Sequence, residues 1–184
     1  MKNKINVIDL DKTLIPYDSF RLLVKTELYK FDVYVASLVM FRKLKLIPNR
    51  KFKSKLVVHL TSKYEDDYFK KFAKKIYNDI DLKIINLVQE ETDDFTVNVL
   101  LSASPNIFVR HLVKQLGWAG SGSYVDSYGK FIHLYGKEKI IWLGKTYQRD
   151  KYYYNFATSD SFSDYELLSL FNKNHKVMLR KNNN

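Results

Sequence analysis

The 184-residue sequence contains no cysteine, only three prolines and six glycines, and 20 acidic against 31 basic residues. Without cysteine there are no disulfides, no zinc–thiolate sites and no thiolate nucleophile. That fits a reducing compartment and leads to the expectation of a cytoplasmic protein. Long hydrophobic runs are also missing: the best candidate, FDVYVASLVMF at residues 31–41, includes Asp32 and falls well short of the roughly 20 apolar residues that span a bilayer, so it reads as a buried helix. The opening MKNKINVIDL turns acidic too soon for a secretory signal. Neither GxSxG nor GxxxxGK occurs, which excludes the serine-hydrolase elbow and the nucleotide-binding loop. What is present is 46% hydrophobic and 15% aromatic content, too apolar for a disordered chain and enough for one domain with a modest insertion.

The shortage of acid is local. Of the net charge of +11, a surplus of nine lies between Arg42 and Lys75, where twelve basic residues face three acids. Such a segment can steer anions, touch nucleic acid or anionic lipid, or simply solvate a helix face. Recognisable RNA-binding signatures are absent and the lysines are not regularly interleaved with aromatics, so nucleic acid is not expected as a partner. Peripheral membrane contact stays open, as does the oligomeric state.

Periodicity predicts the elements. Ile5 to Ile8 reads as a strand buried on both faces. From about Asp18 to Glu91 the pattern is helical, with Phe69, Phe72, Ala73, Ile76 and Ile80 on one stripe and a break at Pro48–Asn49. Strand character returns at Phe95–Leu101, followed by a turn and a helix whose apolar positions end at Gly117. A hairpin is expected over Tyr124–Tyr135, helices over Glu138–Tyr147 and Asp164–Phe171, and strands over Tyr152–Ala157 and Lys176–Leu179, with a frayed tail of asparagines. Strands alternating with helices predict an α/β fold with a parallel sheet, interrupted once by a helical insertion.

Ligands of open parallel sheets gather beyond the carboxyl ends of the strands. The first strand ends at Asp9 and Asp11, the second at Ser102, and the Tyr152 strand at Asp160, with Asp164 a turn later and a lysine, Lys137 or Lys139, nearby. Clustered carboxylates without cysteine or histidine suit a hard cation, Mg²⁺ above others, which also relieves the repulsion between Asp9 and Asp11.

VIDLDKTL (residues 7–14), VLLS (99–102), GKEK (136–139) and SDSFSD (159–164) together resemble the haloacid dehalogenase superfamily in its phosphoserine phosphatase-like branch. The resemblance implies a Rossmann-like core of residues 1–15 and 96–184 and a helical cap of residues 16–95. It implies Asp9 as nucleophile and Asp11 as general acid and base, with Ser102 and Lys137 on the phosphoryl oxygens, Ser104 the competing serine and Lys139 the competing lysine. Mg²⁺ would be held by the Asp9 carboxylate, the Asp11 backbone carbonyl and Asp160, with Asp164 close by. Thr13 would brace the loop beside the substrate. Ser159 stands where a glycine often precedes the metal aspartate, a small change, and Lys12 stands where a glycine or serine is common between the two acids, adding a cation near the phosphate. Asp18 falls where these enzymes contact the substrate amino group, and Lys55 roughly where they place an arginine, which a lysine does not replace as a bidentate partner. A small phosphomonoester other than phosphoserine, such as a sugar phosphate or lipid-linked phosphate, is therefore expected. The alternatives are a phosphotransferase using the same phosphoenzyme, and a basic RNA- or membrane-binding module with a degenerate site.

Overall fold

A computed structural model of the chain describes residues 2–177. Its element order is β1 (Asn3–Ile8), five helices α1 (Ser19–Tyr29), α2 (Val33–Lys43), α3 (Asn49–Lys63), α4 (Asp66–Asn78) and α5 (Leu82–Glu90), then β2 (Thr96–Pro105), α6 (Asn106–Leu116), β3 (Ala119–Val125), β4 (Phe131–Ile132), α7 (Lys137–Thr146), β5 (Tyr152–Ser159), a 3-10 turn at Phe162–Asp164, α8 (Tyr165–Leu168) and β6 (Lys173–Lys176). The strands form one sheet in the order β4-β3-β2-β1-β5-β6, parallel except for the β3–β4 pair. This is the α/β architecture expected from the sequence.

Central strands alternate between two apolar interiors. Ile5, Val7, Val99 and Leu101 face Leu143 of α7 and Leu167 and Leu168 of α8, whereas Ile8 and Leu100 face Phe108 and Leu112 of α6 and the helices inserted after β1. The five inserted helices share that second interior, and Phe72 of α4 meets Phe108 of α6 edge to face at 5.0 Å. Beneath the sheet's amino end, fully buried Asn6 donates its amide to Asn98 Oδ1 at 2.9 Å and to the Glu91 carbonyl at 3.1 Å. Asn155, the extra residue of a bulge between β1 and β5, donates to Asn6 Oδ1 at 3.0 Å and to the same carbonyl.

Four sequence expectations change. The stretch read as a buried helix forms α2, but only Val35 and Leu38 of it are buried, because α1 and α3 pack on one side alone. β3 begins at Ala119, before the predicted hairpin, since it pairs with β2 through small residues: a Cβ at Gly120 would lie 2.1 Å from the Leu100 carbonyl oxygen. The helix expected over Asp164–Phe171 shortens to α8, as the chain must reach β6, with the Asn172 amide donating to the Tyr154 carbonyl. The last strand occupies Lys173–Lys176, in register with Phe156–Ser159 of β5; Met178, Leu179 and the asparagine tail lie outside the described residues. No helix among the described residues is long and apolar enough to cross a membrane.

Candidate active site

At the carboxyl end of β1 the chain winds into a tight loop in which the amides of Thr13, Leu14 and Ile15 all donate to the Leu10 carbonyl. Lys12 sits in the left-handed region at φ 60°, which accounts for the glycine-like character its position invites. The loop lets Asp9 and Asp11 reach one cavity of about 590 Å³. Asp18, Asn49, Lys53, His133, Lys139, Asp160 and Asp164 also line it. Residues far apart in sequence thus meet at the ends of β1, β2 and β5, roofed by the start of α3.

Asp9 is buried. Its Oδ1 accepts from Lys139 Nζ at 2.7 Å, while Oδ2 accepts from the Thr13 hydroxyl at 3.4 Å. Burial raises the Asp9 carboxyl to about 7; Lys139 opposes the shift, and the Asp164 and Asp11 carboxylates add to it. Lys139 Nζ also donates to Asp164 Oδ2 at 2.6 Å. Burial alone would lower the ammonium's pKa, yet Asp9 and Asp164 together hold it above its ordinary value. Asp164 Oδ2 takes a second bond, from Ser159 Oγ at 2.8 Å, whereas its buried Oδ1 has no hydrogen-bond partner among the described residues.

Asp11 is gripped differently. Its Oδ1 accepts from the Ser19 amide (2.6 Å) and hydroxyl (2.5 Å), and its Oδ2 accepts from Ser104 Oγ at 2.6 Å and Ser102 Oγ at 3.4 Å. Burial raises its pKa, and the hydroxyls of Ser104 and Ser19 pull the other way. Ser102 is wholly buried behind Asp11, accepting from the Ser104 amide at 3.0 Å, rather than on the cavity wall. Thr13 ties two strand ends together, its hydroxyl accepting from the Asp160 amide at 2.8 Å. Asp18 caps α1 through the Arg21 amide while lining the cavity.

Two lysine assignments need correction. Lys137 is exposed at the first turn of α7 and borders a separate hollow with Phe162 and Tyr165; residues two apart on a helix point in nearly opposite directions, and it is Lys139 that turns inward. Lys55 is exposed, and buried Lys53 enters the cavity instead, donating to the Ala103 carbonyl at 2.9 Å and lying 3.2 Å from His133 Nε2. Sequence reasoning missed Ser19, Lys53 and His133.

The donor set is rich in oxygen and negative charge, and the unpartnered Asp164 Oδ1 leaves one buried acceptor for a cation. Among the described residues no three acidic or histidine side chains form a self-sufficient metal cage.

A sequence model of haloacid dehalogenase-like hydrolases matches residues 7–169. No curated protein matches the sequence. Among solved structures, a Bordetella pertussis Tohama I protein of unknown function aligns with a TM-score of 0.69 at 13% identity, covering 95% of this chain and 89% of that one. Phosphoserine phosphatase from T. onnurineus aligns with a TM-score of 0.54 at 17% identity, over 98% and 88%. A hydrolase of the same family from Salmonella enterica serovar Typhi aligns with a TM-score of 0.53 at 11% identity, over 92% of this chain and 61% of its own length.

Proposed function

The chain belongs to the haloacid dehalogenase-like hydrolase family, and on that premise we propose that it is a magnesium-dependent phosphatase acting on a small phosphomonoester through an aspartyl-phosphate. The observation that carries this reading is Asp9: buried at the end of β1, anchored through Oδ1 by Lys139, and lining a cavity shared with Asp11. The similar fold of a phosphoserine phosphatase supports the same chemistry.

In this mechanism Asp9 Oδ2 attacks phosphorus as the bond to the leaving oxygen breaks, and Asp11 gives that oxygen a proton. Asp11 then takes a proton from water, whose oxygen attacks the phosphoryl group and returns the Asp9 carboxylate. Serine hydroxyls donate or accept, so Ser19 and Ser104 can hold Asp11 in both protonation states. Asp9, the Asp11 carbonyl and Asp160 would hold magnesium, with Asp164 beside them, and a bound ion would supply positive charge that favours ionised Asp9 and offsets charge on the phosphoryl oxygens. Lys139 adds fixed positive charge at the same spot. The inserted helices within residues 16–95 would act as the cap: Asn49 and Lys53 of α3, together with His133 from the core segment after β4, make part of the cavity wall polar and cationic, which favours an anionic or hydroxyl-rich remainder such as a sugar phosphate.

The test is a screen of sugar phosphates, phospho-amino acids, nucleotides and lipid phosphates with Mg²⁺ or EDTA. Inorganic phosphate is expected with Mg²⁺ and no added acceptor, which separates hydrolysis from phosphoryl transfer. Asp9→Asn should abolish release with an unchanged circular dichroism spectrum, and normal turnover in that variant would refute the nucleophile.

A further inference from the structure

The inserted helices carry a surface that hydrolysis does not use. α2 is apolar almost all the way round, the pattern of a helix enclosed on every side, yet Val33, Tyr34, Ala36, Met40 and Phe41 face outward. The strip continues beyond both ends of the helix, with Tyr29 and Phe31 before it and Leu44 and Leu46 after it. Phe31 is 90% exposed, Val33 80% and Leu46 65%. Singly scattered apolar residues are normal on a protein surface, whereas a contiguous strip marks an interaction site.

The strip is held outward by a rigid frame. Phe31 and Lys45 close α1 and α2 in the left-handed region, at φ 57° and 59°, positions that favour glycine. Both turns are locked: the Asp32 amide donates to the Glu27 carbonyl at 3.2 Å and the Leu46 amide to the Phe41 carbonyl at 2.9 Å. Beneath, buried Glu27 accepts from Lys30, Tyr64 and Tyr68, and buried Asp32 pairs with His59 and Lys63.

Charge selects the partner. From Lys25 to Lys51 there are seven basic residues and two acidic ones, and the two acids are the buried Glu27 and Asp32. Nearby ion pairs engage Lys30, His59, Lys63 and Lys71, leaving Arg42, Lys43, Lys45 and Lys51 without an acidic partner among the described residues. A second copy of this chain would set cation against cation, and a nucleic acid would leave Val33, Met40, Leu44 and Leu46 uncovered. Apolar tips within a border of free cations instead match an anionic bilayer, the tips entering the headgroup boundary and the cations meeting lipid phosphates. We propose that the strip from Tyr29 to Leu46 docks this protein peripherally on anionic phospholipid membranes. This goes beyond the phosphatase reading and does not depend on it, although the strip ends three residues before Asn49 on the cavity wall.

The whole chain is sedimented with vesicles of phosphatidylcholine alone or mixed with phosphatidylglycerol. Binding is expected to the mixed vesicles only and to weaken as salt rises. The double variants F31S/L44S and K43Q/K45Q should each weaken it by about tenfold or more while keeping the wild-type circular dichroism spectrum. Asp9→Asn should bind like wild type, so loss of docking and loss of hydrolysis are read separately. The proposal is overturned by absence of sedimentation with mixed vesicles at low salt, or by binding that survives both double variants. It is equally overturned by a dimer in light scattering that F31S/L44S dissolves, or by an oligonucleotide that binds more tightly than vesicles through the same residues.

Discussion

Lys139 is one ammonium buried between two carboxylates, and its removal would leave Asp9 and Asp164 facing each other without a cation. Breaking a buried ion pair from one side typically costs about 3–5 kcal/mol. Lys139→Met should therefore lower stability in denaturant titration by that order and remove hydrolysis as well, while Lys137→Met, on an exposed side chain, should stay within about 0.5 kcal/mol of wild type. The sequence placed both lysines near the site and favoured Lys137, the wrong one, because the choice depends on which face of α7 packs against the sheet and spacing alone does not show it. Asp9, Asp11, Asp160 and Asp164 were legible because strand ends are where a parallel sheet presents side chains. Ser19 was not, since nothing local distinguishes a hydroxyl that caps a carboxylate from one that meets water.

At the scale of elements, α3 grips the sheet through residues one turn apart. Arg50 donates to the Phe131 carbonyl at 2.6 and 3.1 Å, and Lys53 to that of Ala103. Between them lies His133, pushed down to about 4 by burial and then by Lys53, Arg50 and Lys139. It is neutral in the folded protein but titrates near 6.5 when unfolded, so stability falls as pH drops from about 6.5 towards 4. Asp9 works the other way: its raised carboxyl takes up a proton first in the folded state and adds stability as pH falls through 7. Comparing wild type with His133→Gln cancels the Asp9 contribution. Calorimetric midpoints should show wild type losing stability relative to the variant across that window, and parallel slopes would show His133 charged. Among the elements, β1, α6 and β5 were readable from apolar periodicity. β3 was hidden because close strand contact demanded Gly120 and Gly122, which carry no pattern, and α2 was misjudged because periodicity does not show what covers a face.

For the molecule as a whole, the helical insertion and the sheet share one apolar interior, so a ligand at the strand ends should stabilise both. If magnesium binds there, the thermal midpoint should rise with its concentration, by the equivalent of about 2.7 kcal/mol at a hundredfold excess over Kd. Asp160→Asn should blunt the rise, and an equal shift in that variant would place the ion elsewhere. The asparagine amides lower on the three central strands bear on the same chemistry. Asn6, Asn98 and Asn155 bond side by side, and counting upward from them reaches Asp9, Ser102 and Asp160 after three, four and five residues. One step along a strand is about 3.3 Å. A slip of a single step would strand an amide in the dark and carry a reactive group out of reach, so these three asparagines serve as the gauge by which distant loops arrive level with one another.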